Sequence, residues 1–104
     1  MKQSKKEETI QQIPAKTLIW GETADKKMSW GEAKEWCEEQ GGRLPTRVEL
    51  LQAFEANVEG FETYDYWSST ENVSDFAWLV DFYNGYVNYG NKDYSDYVRC
   101  VRDK

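Results

Sequence analysis

The hydrophobic and polar positions of this chain predict a short strand near residue 17 and a second region of strands near the C-terminus. Thr17-Leu18-Ile19-Trp20 is a β-branched and aromatic run that ends at Gly21, and it predicts the first strand. Residues 76–82 alternate with a period of two, which predicts a strand buried mostly on one side and partly on the other. The positions between these strands follow the period of a helix.

The first predicted helix begins at a capping box, Ser29-Trp30-Gly31-Glu32. In this motif the Ser side chain accepts from the third helical N–H, and the Glu side chain reaches back to the N–H of the cap. The helix is predicted over Trp30–Gln40 because Gly41-Gly42 ends the pattern. Its apolar stripe places Cys37 on the inward side.

A second capping box, Thr46-Arg47-Val48-Glu49, predicts a second helix immediately after the first. Val48, Leu51 and Phe54 recur at helical spacing and are expected to form its buried face. This helix is predicted to end near Ala56-Asn57.

The C-terminal third predicts an antiparallel arrangement of strands. Asn84-Gly85 is the pair that a two-residue type I′ hairpin prefers. A returning strand is expected over Tyr86–Tyr89, and a last strand over Tyr97–Val101. One strand, two helices and then an antiparallel meander is the order of an α+β domain.

The first 16 residues differ in composition from the rest of the chain. They are polar, rich in Gln, Lys and Glu, and without periodicity, so we expect a flexible arm at 1–16 and a folded domain at 17–104. The charges at the N-terminus have no apolar segment behind them, so no secretory signal is expected. No run approaches the roughly 20 apolar residues of a membrane-spanning helix.

The net charge of −6 is unevenly distributed. The arm carries four Lys and two Glu, so it is +2 and the remainder is −8. Residues 48–91 contain no Lys or Arg but hold Glu49, Glu55, Glu59, Glu62, Asp65, Glu71, Asp75 and Asp81. The negative electrostatic field of these residues repels phosphate backbones, which argues against nucleic-acid binding. The same field attracts cationic partners or a cation. A solvated acidic face that only aids solubility is the alternative.

The residue types give little support for catalysis or a metal centre. The chain has no His, so the commonest general base and the Ser-His and Cys-His arrangements are missing, and we expect no enzyme. Two Cys without His do not make a closed zinc site. Oxygen ligands such as Glu71, Asn72 and Asp75 lack the spacing of an EF-hand loop. No cofactor is expected, with calcium as the alternative that the oxygen ligands leave open.

The segment from Tyr83 to Tyr97 has the composition of a recognition surface. Tyr supplies a broad, rigid contact area at low entropic cost, while Asn and Ser adapt their hydrogen bonds. The tyrosines do not follow a period of two, so they divide between strand and loop positions. The candidate binding residues are Tyr83, Asn84, Tyr86, Asn88, Tyr89, Asn91 and Tyr94, with Glu71, Asn72 and Asp75 from a nearby loop.

Several short motifs together resemble the Lcl C-terminal domain family, a bacterial and phage group with a C-type-lectin-like fold. The resemblance covers residues 17–102 and depends most on Arg43-Leu44-Pro45-Thr46, Trp67-Ser68-Ser69-Thr70 and Arg99-Cys100-Val101-Arg102. It implies two short helices packed on a small twisted antiparallel sheet with long loops. At Gly42 many members of the family carry Trp, which places the local packing in question.

The resemblance also implies roles for individual residues. Folds of this class commonly join the first helix to the last strand, so Cys37 and Cys100 are expected to be neighbours, either as a disulfide or as two buried thiols. From the residues themselves, Trp67 and Trp78 are expected in the core, because large aromatic side chains bury most of their area in a small domain. Arg99 is expected to pair with a carboxylate such as Asp81. A well-known domain of the family binds sulfated polysaccharide, but this acidic chain has no evident basic groove for sulfate.

Three functions remain at the level of the sequence. The favoured one is a non-enzymatic module, phage-encoded or surface-associated, that binds a protein or a glycan through its Tyr- and Asn-rich surface. The second is an acidic regulator or inhibitor of a basic partner. The third is a structural or decoration subunit of an assembly such as a phage particle, docked through the arm 1–16. The expected location is cytoplasmic or virion-associated.

Overall fold

The computed structural model describes residues 18–104, and the predicted arm lies outside them. The described chain is α+β, as the sequence predicts. Its elements are β1 (Leu18–Thr23), α1 (Trp30–Glu39), α2 (Arg47–Glu55), β2 (Asp65–Asn72), β3 (Phe76–Asp81), β4 (Val87–Asn91) and β5 (Arg99–Asp103). The strands form two antiparallel sheets, β1-β5 and β2-β3-β4, where a single small sheet was expected.

The two-stranded sheet joins the two ends of the described chain. Leu18 pairs with Asp103 and Trp20 with Val101. The predicted end of β1 at Gly21 is wrong, because the strand continues to Thr23 across an irregularity in the register. Pairing with β5 therefore extends β1 past a residue that local propensity marks as a terminator.

Both capping boxes are confirmed. The amide of Glu49 donates to Thr46 Oγ1 over 3.1 Å, and the amide of Thr46 donates to Glu49 Oε1 over 2.8 Å. Ser29 and Glu32 make the same exchange at α1. Cys37 is fully buried on the inward side of α1, as its position on the apolar stripe predicts.

The predicted buried face of α2 is wrong at its first position. Val48 is 55% exposed, whereas Leu50 and Ala53 are buried. Leu51 and Phe54 are partly buried at the edges of this face. The buried stripe is thus rotated away from Val48, because α2 packs against β2 and β3 through the side that carries Leu50.

The three-stranded sheet lies between two hydrophobic clusters. Tyr66 and Trp67 are adjacent in β2 and point to opposite faces, so Trp67 enters one cluster and Tyr66 the other. In β3 the mostly buried side carries Ala77 and Leu79. The other side is buried at Val80 but only half-buried at Phe76 and Trp78. This uneven cover leaves aromatic surface open on one half of the sheet.

A disulfide between Cys37 and Cys100 ties α1 to β5, with 5.5 Å between the two Cα atoms. The sequence left open whether the two thiols are oxidised, and in the structure they are bonded. The bridge spans a sequence separation of 63 residues. In the chain-entropy model, a loop of that length stabilises the fold by about 4 kcal/mol.

Two arginines fasten loops to the β1-β5 sheet. Arg43 donates to both carboxylate oxygens of Glu49 over 2.9 Å, which lowers the pKa of Glu49, and it also pairs with Asp103. The predicted pairing of Arg99 with a carboxylate is wrong. Arg99 instead donates to the carbonyl oxygens of Gly21 and Glu59.

Gly42 lies close to β5. A Cβ at this position would be 2.5 Å from the carbonyl oxygen of Val101. β5 therefore occupies the space that a side chain at position 42 would need, and Gly fits there because it has no Cβ.

Candidate functional site

The candidate binding residues are distributed along the length of the β2-β3-β4 sheet. Phe76 pairs with Asn91 at one end of the β3-β4 ladder, and Val80 pairs with Val87 at the other. Four residues of strand separate these pairs by about 13 Å. The structure therefore does not bring the predicted residues together at one point. It places them at a hairpin tip, on β4, and at the opposite end of the sheet.

The hairpin tip is residues 82–86. Tyr83 and Tyr86 are 77% and 66% exposed. The amide of Tyr86 donates to Asn84 Oδ1 over 3.0 Å, and the amide of Tyr83 donates to Asp81 Oδ1 over 2.8 Å. The polar side chains of Asn84 and Asp81 thus shape the loop, and the two tyrosine rings are exposed at its surface.

The prediction of a type I′ turn at the tip is wrong. That turn needs positive φ at both central residues, but Gly85 has a φ of 80° while Asn84 is not in the positive region. The loop is longer, and it is closed by hydrogen bonds from Gly85 N to Asp81 O and from Asp81 N to Tyr86 O. Gly85 lies against the ring of Phe54, which draws the tip toward α2.

Lys92 organises the opposite end of the sheet. Its ammonium donates to Glu71 and to the carbonyl oxygen of Ser74, and it lies 4.1 Å from the centre of the Trp30 ring. The hydrogen bond to Lys92 lowers the pKa of the Glu71 carboxyl. The amide of Lys92 donates to the carbonyl oxygen of Asp75. The loop from Glu71 to Asp75 is therefore joined to the loop after β4.

The remaining predicted residues at this end have mixed roles. Asn91 Oδ1 accepts from the amide of Asp93 over 2.8 Å, so this side chain stabilises the loop. Asn72 pairs with Phe76 at the end of β2. Tyr94 is 67% exposed. Within residues 18–104, no three His, Cys, Asp or Glu side chains are grouped in a way that could hold a metal ion.

An aromatic trio occupies the open half of the sheet face, formed by Phe76, Trp78 and Tyr89. The ring of Tyr89 meets Phe76 and Trp78 edge-on, with centroids 5.5 and 5.4 Å apart. Arg47 lies 4.8 Å over the ring of Trp78. Sequence reasoning placed Trp78 in the core, but it is only half-buried. The β3-β4 register, which pairs Trp78 with Tyr89, is the signal that would have placed the two together.

One feature near the tip was not predicted, the stacking of Tyr64 on Tyr97. Tyr64 is half exposed and stacks on Tyr97, with ring centroids 4.7 Å apart. No local pattern marks Tyr64, because the contact depends on Tyr97 reaching the edge of β2. Asn88, which was predicted, is exposed but belongs to the opposite face of β4 from Tyr89.

Three carboxylates gather beside the Tyr64–Tyr97 pair. Burial raises the pKa of Asp65, and the charge of Asp81, its direct partner across the strands, adds to this effect. Burial likewise raises the pKa of Asp96 to about 6, the charge of Asp65 adds to it, and Lys27 opposes it. Asp65 Oδ1 is buried without a hydrogen-bond partner in the described chain. Ionisation of Asp65 and Asp96 at this end of the sheet is therefore unfavourable relative to ionisation in water.

Comparison with protein families identifies the group to which the described fold is similar. The family model described as Lcl C-terminal domain matches residues 12–102, a span that includes both helices and both sheets apart from the last residue of β5. A comparison with curated proteins found no match. Neither helix of the described chain is long and apolar enough to span a membrane.

Proposed function

The chain belongs to the Lcl C-terminal domain family, and we propose that this member is a non-enzymatic recognition module. It binds a protein or glycan ligand through the β2-β3-β4 sheet and the loops at its two ends. The Tyr- and Asn-rich segment supplies most of this surface. The tyrosine rings provide the contact area, and most of the asparagine side chains hold the loops in shape.

The observation that carries the proposal is where the exposed apolar surface lies. Eight large apolar side chains of the described chain are exposed, and six of them belong to this sheet and its loops. The six are Tyr64, Val73, Tyr83, Tyr86, Tyr89 and Tyr94. They are spread along the length of this one sheet rather than over the whole domain, and exposed apolar residues concentrated along one element favour an interaction surface there.

The tyrosine hydroxyl groups support the same proposal. Those of Tyr83, Tyr86, Tyr89 and Tyr94 make no hydrogen bond to another residue of the described chain. By contrast, the hydroxyl of the buried Tyr66 bonds to both Thr23 and the amide of Glu62. Exposed tyrosines with unused hydroxyl groups offer a ligand both ring area and hydrogen bonds.

The proposal excludes catalysis on the grounds of residue chemistry. The sequence has no His. The carboxylates with raised pKa, Asp65 and Asp96, lie beside each other and beside Tyr97. Within residues 18–104, no Ser, Thr, Cys or Lys side chain makes a hydrogen bond to either carboxylate, so this part of the chain offers them no side-chain nucleophile to activate.

The test is affinity capture from bacterial lysate, cell-envelope fractions and a glycan array. The variant Tyr86→Ala/Tyr89→Ala/Tyr94→Ala should lose at least ten-fold in binding of any ligand that the wild type retains, because three of its exposed rings are removed. The matched control is Ile19→Ala/Val48→Ala, which removes exposed apolar surface from β1 and α2. If the triple variant and the control bind equally well, the tyrosine surface is not the site.

A second arm of the same experiment concerns residues 1–16. A module that binds through the sheet should keep its affinity when these residues are deleted. Loss of capture on deletion, with the triple variant unaffected, would instead support a subunit that docks through its N-terminal segment.

A further inference from the structure

Strand β4 is an edge of its sheet, and the register determines which of its backbone groups are open. The amide of Asp81 donates to Tyr86 O over 2.8 Å, and the amide of Lys92 donates to Asp75 O over 2.9 Å. These bonds flank the β3-β4 ladder. Because hydrogen-bonded and non-hydrogen-bonded pairs alternate in an antiparallel ladder, the N–H and C=O groups of Val87, Tyr89 and Asn91 point away from β3.

These outward groups are almost all unpaired within residues 18–104. The carbonyl oxygen of Asn91 accepts from Tyr94 N over 3.0 Å. The N–H groups of all three residues and the carbonyl oxygens of Val87 and Tyr89 have no partner there. Three donors and two acceptors therefore line the edge, which is the pattern that an added strand pairs with.

The other edge of the same sheet is covered. Tyr97 forms a parallel bridge with Tyr66, and its carbonyl oxygen accepts from Trp67 N over 3.0 Å. Its amide also donates to Asp65 O. The fold thus protects the β2 edge with its own chain but leaves β4 open.

The sequence of β4 lacks the usual protection of an exposed edge. Native edge strands are commonly guarded by Lys, Pro or a bulge. Val87-Asn88-Tyr89-Gly90-Asn91 contains no charged residue and no Pro, and its register with β3 is regular. Lys92 follows directly, but its ammonium is bonded to Glu71 and Ser74. It is therefore not available to repel an incoming strand.

We propose that β4 binds an extended, positively charged segment of a partner protein as a fourth strand of the sheet. This inference rests on the proposed function and names the ligand class and the mode of binding. Side chains of the added strand on one face would lie next to the exposed ring of Tyr89, where a cationic side chain finds a favourable partner. Hydrogen bonds to the backbone groups of Val87, Tyr89 and Asn91 would supply the affinity. The ring of Tyr89 would supply the preference for a cationic side chain.

The charge of the domain selects a cationic occupant. Four of the 13 basic and two of the 19 acidic residues precede residue 18, so the described chain holds nine basic and 17 acidic residues, a net charge of −8. The carboxylates of Asp75 and Asp93 are exposed at the Asn91 end of the edge. A second copy of the chain would bring a like charge to this edge, whereas a Lys- or Arg-rich strand complements it.

The probe is an eight-residue peptide of alternating Lys and Thr with blocked ends, titrated into the full chain and followed by amide NMR. The amide signals of Val87, Tyr89 and Asn91 should shift most. A peptide in which Glu replaces Lys should bind at least ten-fold more weakly. Equal binding of the two peptides, or shifts confined to residues outside β4, would overturn the proposal.

A pair of variants at one position separates backbone pairing from ring contact. Tyr89→Ala and Tyr89→Pro both remove the ring, but only Pro removes the outward N–H, and neither removes a hydrogen bond to β3. Tyr89→Pro should bind the peptide at least five-fold more weakly than Tyr89→Ala, with the melting temperatures confirming that both variants fold. If the two variants bind the peptide equally well, the backbone edge of β4 is not used and the proposal fails. Loss of captured ligand in the tyrosine triple variant would still support the proposed function in that case.

Sedimentation of the chain without peptide tests the other occupant. A monomer over the concentration range of the titration supports a partner peptide. A dimer whose formation shifts the same three amides would show that a second copy occupies the edge, and it would overturn the proposal.

Discussion

Gly85 lies directly against Phe54, so that a Cβ at position 85 would be 2.7 Å from Cε2 of the ring. The φ of Gly85 is 80°, a conformation that L side chains rarely adopt. This contact joins the hairpin tip, which carries Tyr83 and Tyr86, to α2. The position of the tip therefore depends on the absence of a side chain at one residue.

The first prediction is that Gly85→Ala lowers the free energy of unfolding by about 2 kcal/mol. Positive φ and a clash with a half-buried ring both contribute to this cost. The change is measured by urea denaturation. Gly31→Ala is the matched control, because a Cβ at that position would meet no atom within 4 Å other than its chain neighbours and the backbone of its own helix. Since Gly31 is in a helix, this control should be neutral or more stable by about 0.5–1 kcal/mol. Equal effects of the two substitutions would contradict the role of the Phe54 contact.

Features set by neighbouring residues are the ones that the sequence predicts well. Each capping box needs only four consecutive residues, and both form as predicted at Ser29 and Thr46. The buried face of α2 is different, because Val48 and Leu50 are both apolar and only the position of the sheet decides which is covered. The same holds for Arg99, whose acceptors at Gly21 and Glu59 are backbone carbonyls that no side-chain pattern reveals.

The candidate site shows a similar division. Composition identified the exposed tyrosines of the C-terminal third, and Tyr83, Tyr86, Tyr89 and Tyr94 are all exposed. Composition could not separate the hairpin tip from the far end of the sheet, because that separation follows from the β3-β4 register. The open edge of β4 could not be predicted from the sequence either, because it depends on the order of the strands in the sheet.

The second prediction concerns the disulfide between Cys37 and Cys100, which connects α1 to β5. Cys37→Ala/Cys100→Ala should lower the free energy of unfolding by about 4 kcal/mol, because the unfolded chain is no longer restrained by a loop of about 64 residues. Urea denaturation measures the loss. Dithiothreitol should destabilise the wild type to a similar extent and leave the double variant unchanged. The prediction is contradicted if dithiothreitol leaves the urea denaturation curve of the wild type unchanged.

The third prediction is a pH dependence that arises from Asp96. Burial raises the pKa of this carboxyl to about 6, with the charge of Asp65 as a further cause and Lys27 opposing. In the unfolded chain the carboxyl has its ordinary pKa of 3.8. Between pH 3.8 and about pH 6 the folded state binds more protons than the unfolded state. The contribution of Asp96 to the free energy of unfolding therefore falls as the pH rises through this range, and it stays low above it.

Asp96→Asn should remove this cost. At pH 7.5 the variant should be more stable than the wild type by about 1 kcal/mol, a figure that allows for solvent screening of a half-buried group. At pH 4 the gain should nearly vanish, because the wild-type carboxyl is then mostly protonated in the folded protein. Urea denaturation at the two pH values measures the difference, and Asp25→Asn serves as the control for loss of an exposed charge in the neighbouring loop. A gain of the same size at both pH values would show that the effect of Asp96 is not due to its titration.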